Sequence, residues 1–196
     1  MHLVLATRNP GKLSEIRDLL AGLPVDLSHA GAYADAPEVD EDAPTLEGNA
    51  RKKALALFTH TGRPALADDT GLEVTALGGR PGVHSARYAG PACDPAANRA
   101  KLLRELGTAA DRSARFRTVV AFADGADVHY FEGICEGRIL HEERGAGGFG
   151  YDALFVPDGE TRTFAQLDPA HKNAVSHRGR ALRAFVAFLH ARLGNI

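Results

Sequence analysis

The sequence predicts an α/β protein, and three observations point that way. Leu3-Val4-Leu5-Ala6 is a short apolar run, followed by a turn and then by Leu13, Ile16, Leu19, Leu20 and Leu23 at helical spacing, so the chain opens as strand, loop, helix. Residues 116–123 and 128–135 are two strand-like runs joined by Asp124-Gly125-Ala126-Asp127, whose Asp-Gly pair is a hairpin signal. Leu182, Phe185, Val186, Leu189 and Leu193 then lie on one stripe of a C-terminal helix.

A chain of 196 residues suffices for one domain that buries roughly 70% of its unfolded surface, so residues 1–196 are read as a single domain. With 44% apolar and 24% charged residues the chain has the composition of a soluble globular protein and not of a disordered one. No apolar run approaches the ~20 residues that cross a bilayer as a helix, and a membrane-embedded protein is not expected. The N-terminus reads directly as a strand, without a basic flank or small-residue cleavage site, and a cytoplasmic location is expected. A formal net charge of −2 provides no electrostatic footprint for long nucleic acid. Cys93 and Cys135 lack metal or redox spacing and read as reduced, buried small hydrophobes.

In the first loop Asn9 suits an N-cap and Pro10 the first helical position, so the free N–H groups of the first turn are expected to point into the loop beside Lys12. Helix N-terminus, tight glycine and lysine together suit phosphate, although Ala6 and Leu13 stand where a Walker A motif needs glycine and Ser or Thr. The plainer alternative is a capped helix with a solvated lysine. A second strand is expected at 25–28. The stretch 31–44 is rich in Ala, Pro and acids, including Glu38, Asp40, Glu41 and Asp42; it reads as a solvated loop from which one acid is available to a cation site. Leu46, Ala50, Ala54, Leu57 and Phe58 mark a helix from Thr45 to Thr61-Gly62, and Asn49 and Lys53 share one of its faces.

Leu66-Ala67-Asp68-Asp69-Thr70-Gly71-Leu72 is where the chain departs most from folding convenience. Asp is depleted in strands, and a carboxylate taken out of water needs a partner, for which a divalent cation is the candidate. In an extended chain Asp68 and Asp69 face opposite sides. The alternative is a strand that ends in an Asx turn with Gly71 at positive φ. The Gly-rich stretch 78–90 reads as a long loop that lines a cleft or contacts a second subunit. Ala97, Ala100, Leu103 and Leu106 carry a helix to Gly107, and the nearly all-apolar run 116–123 is expected at the centre of the sheet.

Gly145-Ala146-Gly147-Gly148-Phe149-Gly150 matches G-x-G-x-x-G formally, but 151–156 reads as a strand stopped by Pro157, and the dinucleotide fingerprint needs a helix there. Phe149, between two glycines, suits stacking on a base, with a core phenylalanine as the alternative. Ser176 reads as the N-cap of the last helix. His177 and Arg178 then occupy its first turn, with Lys172 just upstream, where the helix dipole disfavours cations; that placement argues for an anionic or keto-oxygen partner. No H-E-x-x-H, C-x-x-C or G-x-S-x-G motif occurs.

Taken in order, Thr7-Arg8-Asn9-Pro10-Gly11-Lys12, Asn49-Ala50 with Lys53-Ala54, Ala67-Asp68-Asp69-Thr70-Gly71-Leu72, Pro81-Gly82-Val83-His84-Ser85-Ala86-Arg87-Tyr88, Gly148-Phe149-Gly150-Tyr151-Asp152 and Ser176-His177-Arg178-Gly179 resemble the Ham1/RdgB family of inosine/xanthosine triphosphate pyrophosphatases over nearly the whole chain. The resemblance implies the ITPase-like (Maf/Ham1) α/β fold, with a central mixed sheet flanked by helices and two lobes with a nucleotide cleft between them. It implies Mg²⁺-dependent hydrolysis of ITP, dITP and XTP to the monophosphate and pyrophosphate by a homodimer. By position it places the proton acceptor and a metal ligand on Asp69, a further metal ligand on Glu41, and the phosphate loop on Thr7, Arg8, Asn9, Pro10, Gly11 and Lys12. Nucleotide contacts fall on Thr70, Phe149, Gly150, Tyr151, Asp152, Lys172, His177 and Arg178. The chain departs from the family's Glu-x-Gly and Phe-x-Glu-Asn-Ala patterns at Glu41-Asp42-Ala43 and Leu46-Glu47-Gly48-Asn49-Ala50. A Maf-like pyrophosphatase and a nucleotide-binding module without turnover are the competing readings.

Overall fold

β1, His2–Leu5, is buried on both sides, and its alternating side chains show how the fold is assembled. In the computed structural model, residues 1–125 and 127–193 are described. After β1 come α1 (Pro10–Leu20), β2 (Asp26–His29), α2 (Leu46–Thr61), β3 (Ala65–Val74), β4 (Pro81–Gly82) and α3 (Pro95–Leu106). They are followed by β5 (Ser113–Asp124), β6 (Asp127–Ile139), β7 (Phe155–Pro157), α4 (Pro169–Val175) and α5 (His177–Leu193). The strands form one sheet in the order β2-β1-β3-β5-β6-β7, with β4 pairing β3. The sheet is mixed, as expected: β1 runs parallel to β2 and β3, whereas β3 with β4 and β6 with β7 are antiparallel.

The chain packs as two compact units. The first comprises Met1–Asp69, Thr118–Gly133 and the chain from Arg178 onward. Here Leu3 and Leu5 of β1 meet Leu13, Ile16 and Leu20 of α1 and Leu182, Phe185 and Leu189 of α5, with Val120 and Phe122 of β5. Val4, on the opposite face of β1, joins Ala36, Leu57 of α2 and Ala65. A strand covered on both faces reads as an unbroken apolar run, which is how Leu3-Val4-Leu5 was legible. α2 begins on the side-chain cap of Thr45 and ends at Gly62, whose φ of 63° is a left-handed stop that glycine takes without strain.

The second unit comprises Thr70–Arg117 and Ile134–His177. Its core gathers Leu72 and Val74 of β3, Leu102 and Leu106 of α3, Phe116, Ile139, Phe155 and Phe164. The Phe116 and Phe155 rings stand 4.8 Å apart and tilted.

Several elements differ from expectation. α3 buries Asn98, Leu102 and Leu106, while Ala100 is exposed. Asn98 takes an inward position because its amide serves the backbone of the neighbouring loop, accepting from Ala89 N (2.6 Å) and donating to Ala86 O (2.8 Å). The strand expected over 151–156 shrinks to β7. Gly148 and Gly150, at φ of 69° and 61°, turn the chain, and Tyr151 O then accepts from Leu154 N at 2.9 Å. α4 was not foreseen; Ser176 caps its end, directly before α5. The stretch 78–90 holds β4, and Ser85 Oγ ties it to β3 by accepting from Leu72 N (2.8 Å) and donating to Gly82 O (2.6 Å). Cys135 is buried but Cys93 is exposed. Ala126, inside the expected Asp-Gly turn, lies outside the described residues. Among the described residues no helix is long and apolar enough to cross a membrane.

Candidate active site

β3 remains a strand straight through Asp68 and Asp69, which are only 5% and 6% exposed. Gly71 makes no turn. It sits in the same strand because a Cβ there would lie 2.9 Å from Gly82 O of β4, so only glycine permits that approach, and the Asx-turn alternative is excluded. With the strand extended, alternation sends the two carboxylates to different partners.

Asp68 Oδ2 meets Lys12 Nζ of α1 at 2.9 Å and Arg178 Nε of α5 at 3.2 Å. Arg178, itself 3% exposed, also pairs with Glu15, one turn along α1 from Lys12. Asp69 faces α2 instead: Asn49 Nδ2 donates to its Oδ2 at 3.1 Å, and Lys53 Nζ lies 3.2 Å from its Oδ1. The same ammonium is 2.9 Å from Glu41 Oε1.

These surroundings push the adjacent aspartates apart. Burial alone raises the Asp68 carboxyl, but the charges of Lys12, Arg178 and Lys53 outweigh it and hold the group well below the usual carboxylate range. Burial also raises Asp69. There Lys53 opposes it only in part and the Glu41 charge adds to it, so the group stays above its ordinary value. Burial lowers the Lys12 ammonium despite Asp68, whereas Asp69 and Glu41 keep that of Lys53 raised against burial. The two neighbouring carboxyls are thus displaced in opposite directions, Asp68 downward and Asp69 upward.

The α1 loop is capped as the sequence indicates, but its N–H groups are not free. Asn9 Oδ1 accepts from Gly11 N (2.9 Å) and Lys12 N (3.2 Å), Asn9 N donates to Thr7 Oγ1 (3.1 Å), and Pro10 has no N–H. Arg8 is exposed and engages Glu38 (3.1 Å) and Ala36 O (3.2 Å).

In the second unit a smaller cluster forms around Asp152. Its Oδ2 accepts from Phe149 N (2.8 Å) and pairs with Lys172 Nζ (2.9 Å), while the same ammonium lies 4.8 Å from the centroid of the Phe149 ring. A Cβ on Gly148 would stand 2.2 Å from Asp152 Oδ2, so the turn that presents Phe149 requires glycine there. Gly150 O accepts from Arg99 (2.9 Å), and the Tyr151 hydroxyl donates to Ser85 O (2.8 Å). His177 is 3% exposed and stacks on Phe116 with ring centroids 4.5 Å apart. Thr70 follows Asp69 in β3 and is half-buried.

The residues expected at the site therefore gather in two groups. Glu41, Asp69, Lys12 and Arg178 lie in the first unit, and Phe149, Gly150, Tyr151, Asp152 and Lys172 in the second, where His177 is packed into the aromatic core. Glu15 and Arg99 were missed. Glu15 had a signal in its spacing of three from Lys12 on one helix face, whereas Arg99 had none.

Glu41 and Asp69 are two hard oxygen donors within reach of a single ammonium. Among the described residues no group of three or more His, Cys, Asp or Glu could hold a metal ion. Mg²⁺ is commonly bound by one or two carboxylates together with substrate phosphates, so this donor pair fits it.

Fold and site define the class: an α/β protein with a mixed sheet, a buried cluster of paired charges and a donor pair suited to a hard cation. The chain belongs to the Ham1 family, whose family model matches residues 3–188. It is 50% identical over 193 residues to a dITP/XTP pyrophosphatase of Desulforamulus reducens, covering 97% of this chain and 96% of the relative. It is 51% identical over 184 residues to a dITP/XTP pyrophosphatase of Geobacter sulfurreducens, covering 92% of each. The solved structure of a HAM1 protein from Coxiella burnetii is similar with a TM-score of 0.90 and 39% identity, over 97% of this chain and 99% of that one.

Proposed function

We propose that the protein hydrolyses the non-canonical purine nucleoside triphosphates ITP, dITP and XTP to the monophosphate and pyrophosphate, with Mg²⁺, as a cytoplasmic homodimer. The observation that carries this reading is the division of labour between Asp68 and Asp69, in a chain about half identical to proteins named for that reaction. Asp69, raised above its ordinary value, takes the proton of the attacking water. Asp68 stays ionised and fixes Lys12 and Arg178. Lys12 and the Thr7, Arg8, Asn9, Pro10 and Gly11 loop bind phosphate oxygens. Glu41 and Asp69 would hold Mg²⁺, which neutralises charge that develops on the phosphates.

On the nucleoside side Phe149 offers a ring face, backed by Asp152 and Lys172, and Thr70, Gly150, Tyr151 and His177 are the further residues assigned to the nucleotide. Arg178 serves the nucleotide while it retains Asp68 and Glu15. Donors aimed at a 6-keto oxygen are left unpaired by a 6-amino base, which supports discrimination of roughly 10⁴-fold or more against ATP. The test is incubation with ITP, XTP, dITP, GTP, ATP and dTTP, with and without Mg²⁺, followed by chromatography of the products. Mg²⁺-dependent release of pyrophosphate from ITP and XTP is expected. Release of orthophosphate, or equal turnover of ATP and ITP, overturns the proposal.

A further inference from the structure

Asn49 is 0% exposed in the first turn of α2 and uses both ends of its amide. Ala43 N donates to Asn49 Oδ1 at 3.0 Å, and Asn49 Nδ2 donates to Asp69 Oδ2 at 3.1 Å. A backbone N–H only donates, so the amide cannot be flipped, and its NH₂ end is committed to the carboxylate. Ala43 stands two residues after Glu41 on the same segment. One turn further along the same face of α2, Lys53 bridges Glu41 Oε1 and Asp69 Oδ1.

We infer that Asn49 is a positioning residue: it ties the segment bearing Glu41 to the strand bearing Asp69 and so sets the separation of the two carboxylates that bind the divalent cation. Other residue types fail for definite reasons. Aspartate would accept from Ala43 N but oppose Asp69 with a second anion, and leucine would leave the Ala43 N–H and one Asp69 oxygen without this partner. The first turn of a capped helix is a rigid place from which to hold both, and partners that orient metal ligands typically alter metal affinity about 10- to 100-fold.

The inference rests on the proposed function only in taking Glu41 and Asp69 as cation ligands, not on the identity of the nucleotide. The experiment is Mn²⁺ binding to the full chain without nucleotide, read from the electron paramagnetic resonance signal of free Mn²⁺, in wild type, Asn49→Ala and Asn49→Gln. Asn49→Ala is expected to raise the Mn²⁺ Kd about 10- to 100-fold, with an intermediate loss in Asn49→Gln, which keeps the amide one methylene out of place. At saturating Mg²⁺ the KM for ITP should not change. Wild-type Mn²⁺ affinity in a folded Asn49→Ala, or in Asn49→Gln should the alanine variant not fold, overturns the inference, as does a wild type that binds no Mn²⁺. A wild type that binds Mn²⁺ but fails to hydrolyse ITP overturns the proposed function alone.

Discussion

Arg178 Nε donates to Asp68 Oδ2 at 3.2 Å, joining residues 110 positions apart in the chain and almost wholly buried at both ends. Each is costly by itself: Asp68 is a carboxylate inside a strand, and Arg178 a cation at a helix start. Together with Lys12 and Glu15 they form a run of alternating charges across α1, β3 and α5. Asp69, on the other side of the strand, faces Asn49 and Lys53 instead.

Asp68→Asn should therefore be severely destabilising. It keeps the shape of the side chain but leaves the Lys12 and Arg178 charges without their carboxylate, and breaking a buried ion pair in this way costs about 3–5 kcal/mol. Urea denaturation of both proteins measures the loss as a lowered midpoint, and an unchanged midpoint contradicts the assignment of Asp68 as a structural anion.

The same group sets the acid limit of stability. Its folded pKa lies below the unfolded one, so at low pH the unfolded chain binds the extra proton; the stabilisation is fully present above the unfolded value of about 3.9, declines as pH falls below it, and is gone only below the folded value. The raised Asp69 acts with the opposite sign, so the contribution of Asp68 is read as a difference between proteins. Midpoints measured at about pH 6 and about pH 3 should fall more steeply in wild type than in Asp68→Asn.

At the adjacent position the outcome reverses. Asp69 is raised above its ordinary value, which means that the fold disfavours its charged form. Asp69→Asn should hold or slightly raise the urea midpoint while turnover falls by roughly 10²- to 10⁴-fold, the usual worth of a positioned proton acceptor. Pyrophosphate release alongside circular dichroism separates the two effects; near-normal turnover removes Asp69 from the chemistry.

Gly71→Ala tests the close approach of β3 and β4. The added methyl meets the backbone oxygen and carbon of Gly82 at 2.9 and 3.0 Å, where no flexible side chain is available to yield. Overpacking of this kind costs about 1–3 kcal/mol, so the urea midpoint should drop with the fold retained.

The sequence made legible what local patterning controls. Asn9 and Thr45 cap helices where the spacing of apolar residues placed them, and Gly62 ends α2. β1 was readable because both its faces are covered by apolar neighbours. α4 was not, because over seven residues it turns Lys172 and Asn173 inward instead of an apolar stripe. Within α3, Leu103 and Leu106 pack inward as the spacing indicated, but the inward Asn98 was not readable, because it is held by hydrogen bonds to a loop that no periodicity reveals. At the site, the charges at 68 and 178 each signalled a missing partner. Read locally, each pointed to a ligand, whereas in the fold each is much of the other's answer. Asn49 and Lys53 were visible as a shared helix face, and their joint target, Asp69, became visible only with the strand in place.

Lys172→Met separates nucleoside recognition from chemistry. Lys172 is 6% exposed, its ammonium pairs with Asp152 Oδ2, and that oxygen also accepts from Phe149 N. Methionine keeps most of the apolar stem but removes the charge that holds the Asp152 carboxylate and faces the Phe149 ring at 4.8 Å. On the proposed reading Lys172 also contacts the nucleotide, and a hydrogen bond to a charged group is worth about 1.5–3 kcal/mol, so the KM for ITP should rise roughly 10- to 100-fold. The proposed function assigns the chemical step to Asp69, so kcat should fall far less, and Mn²⁺ affinity without nucleotide should not change. Steady-state kinetics with ITP resolve the two constants. A fall in kcat at constant KM would instead place Lys172 in the phosphoryl chemistry and remove it from recognition of the base.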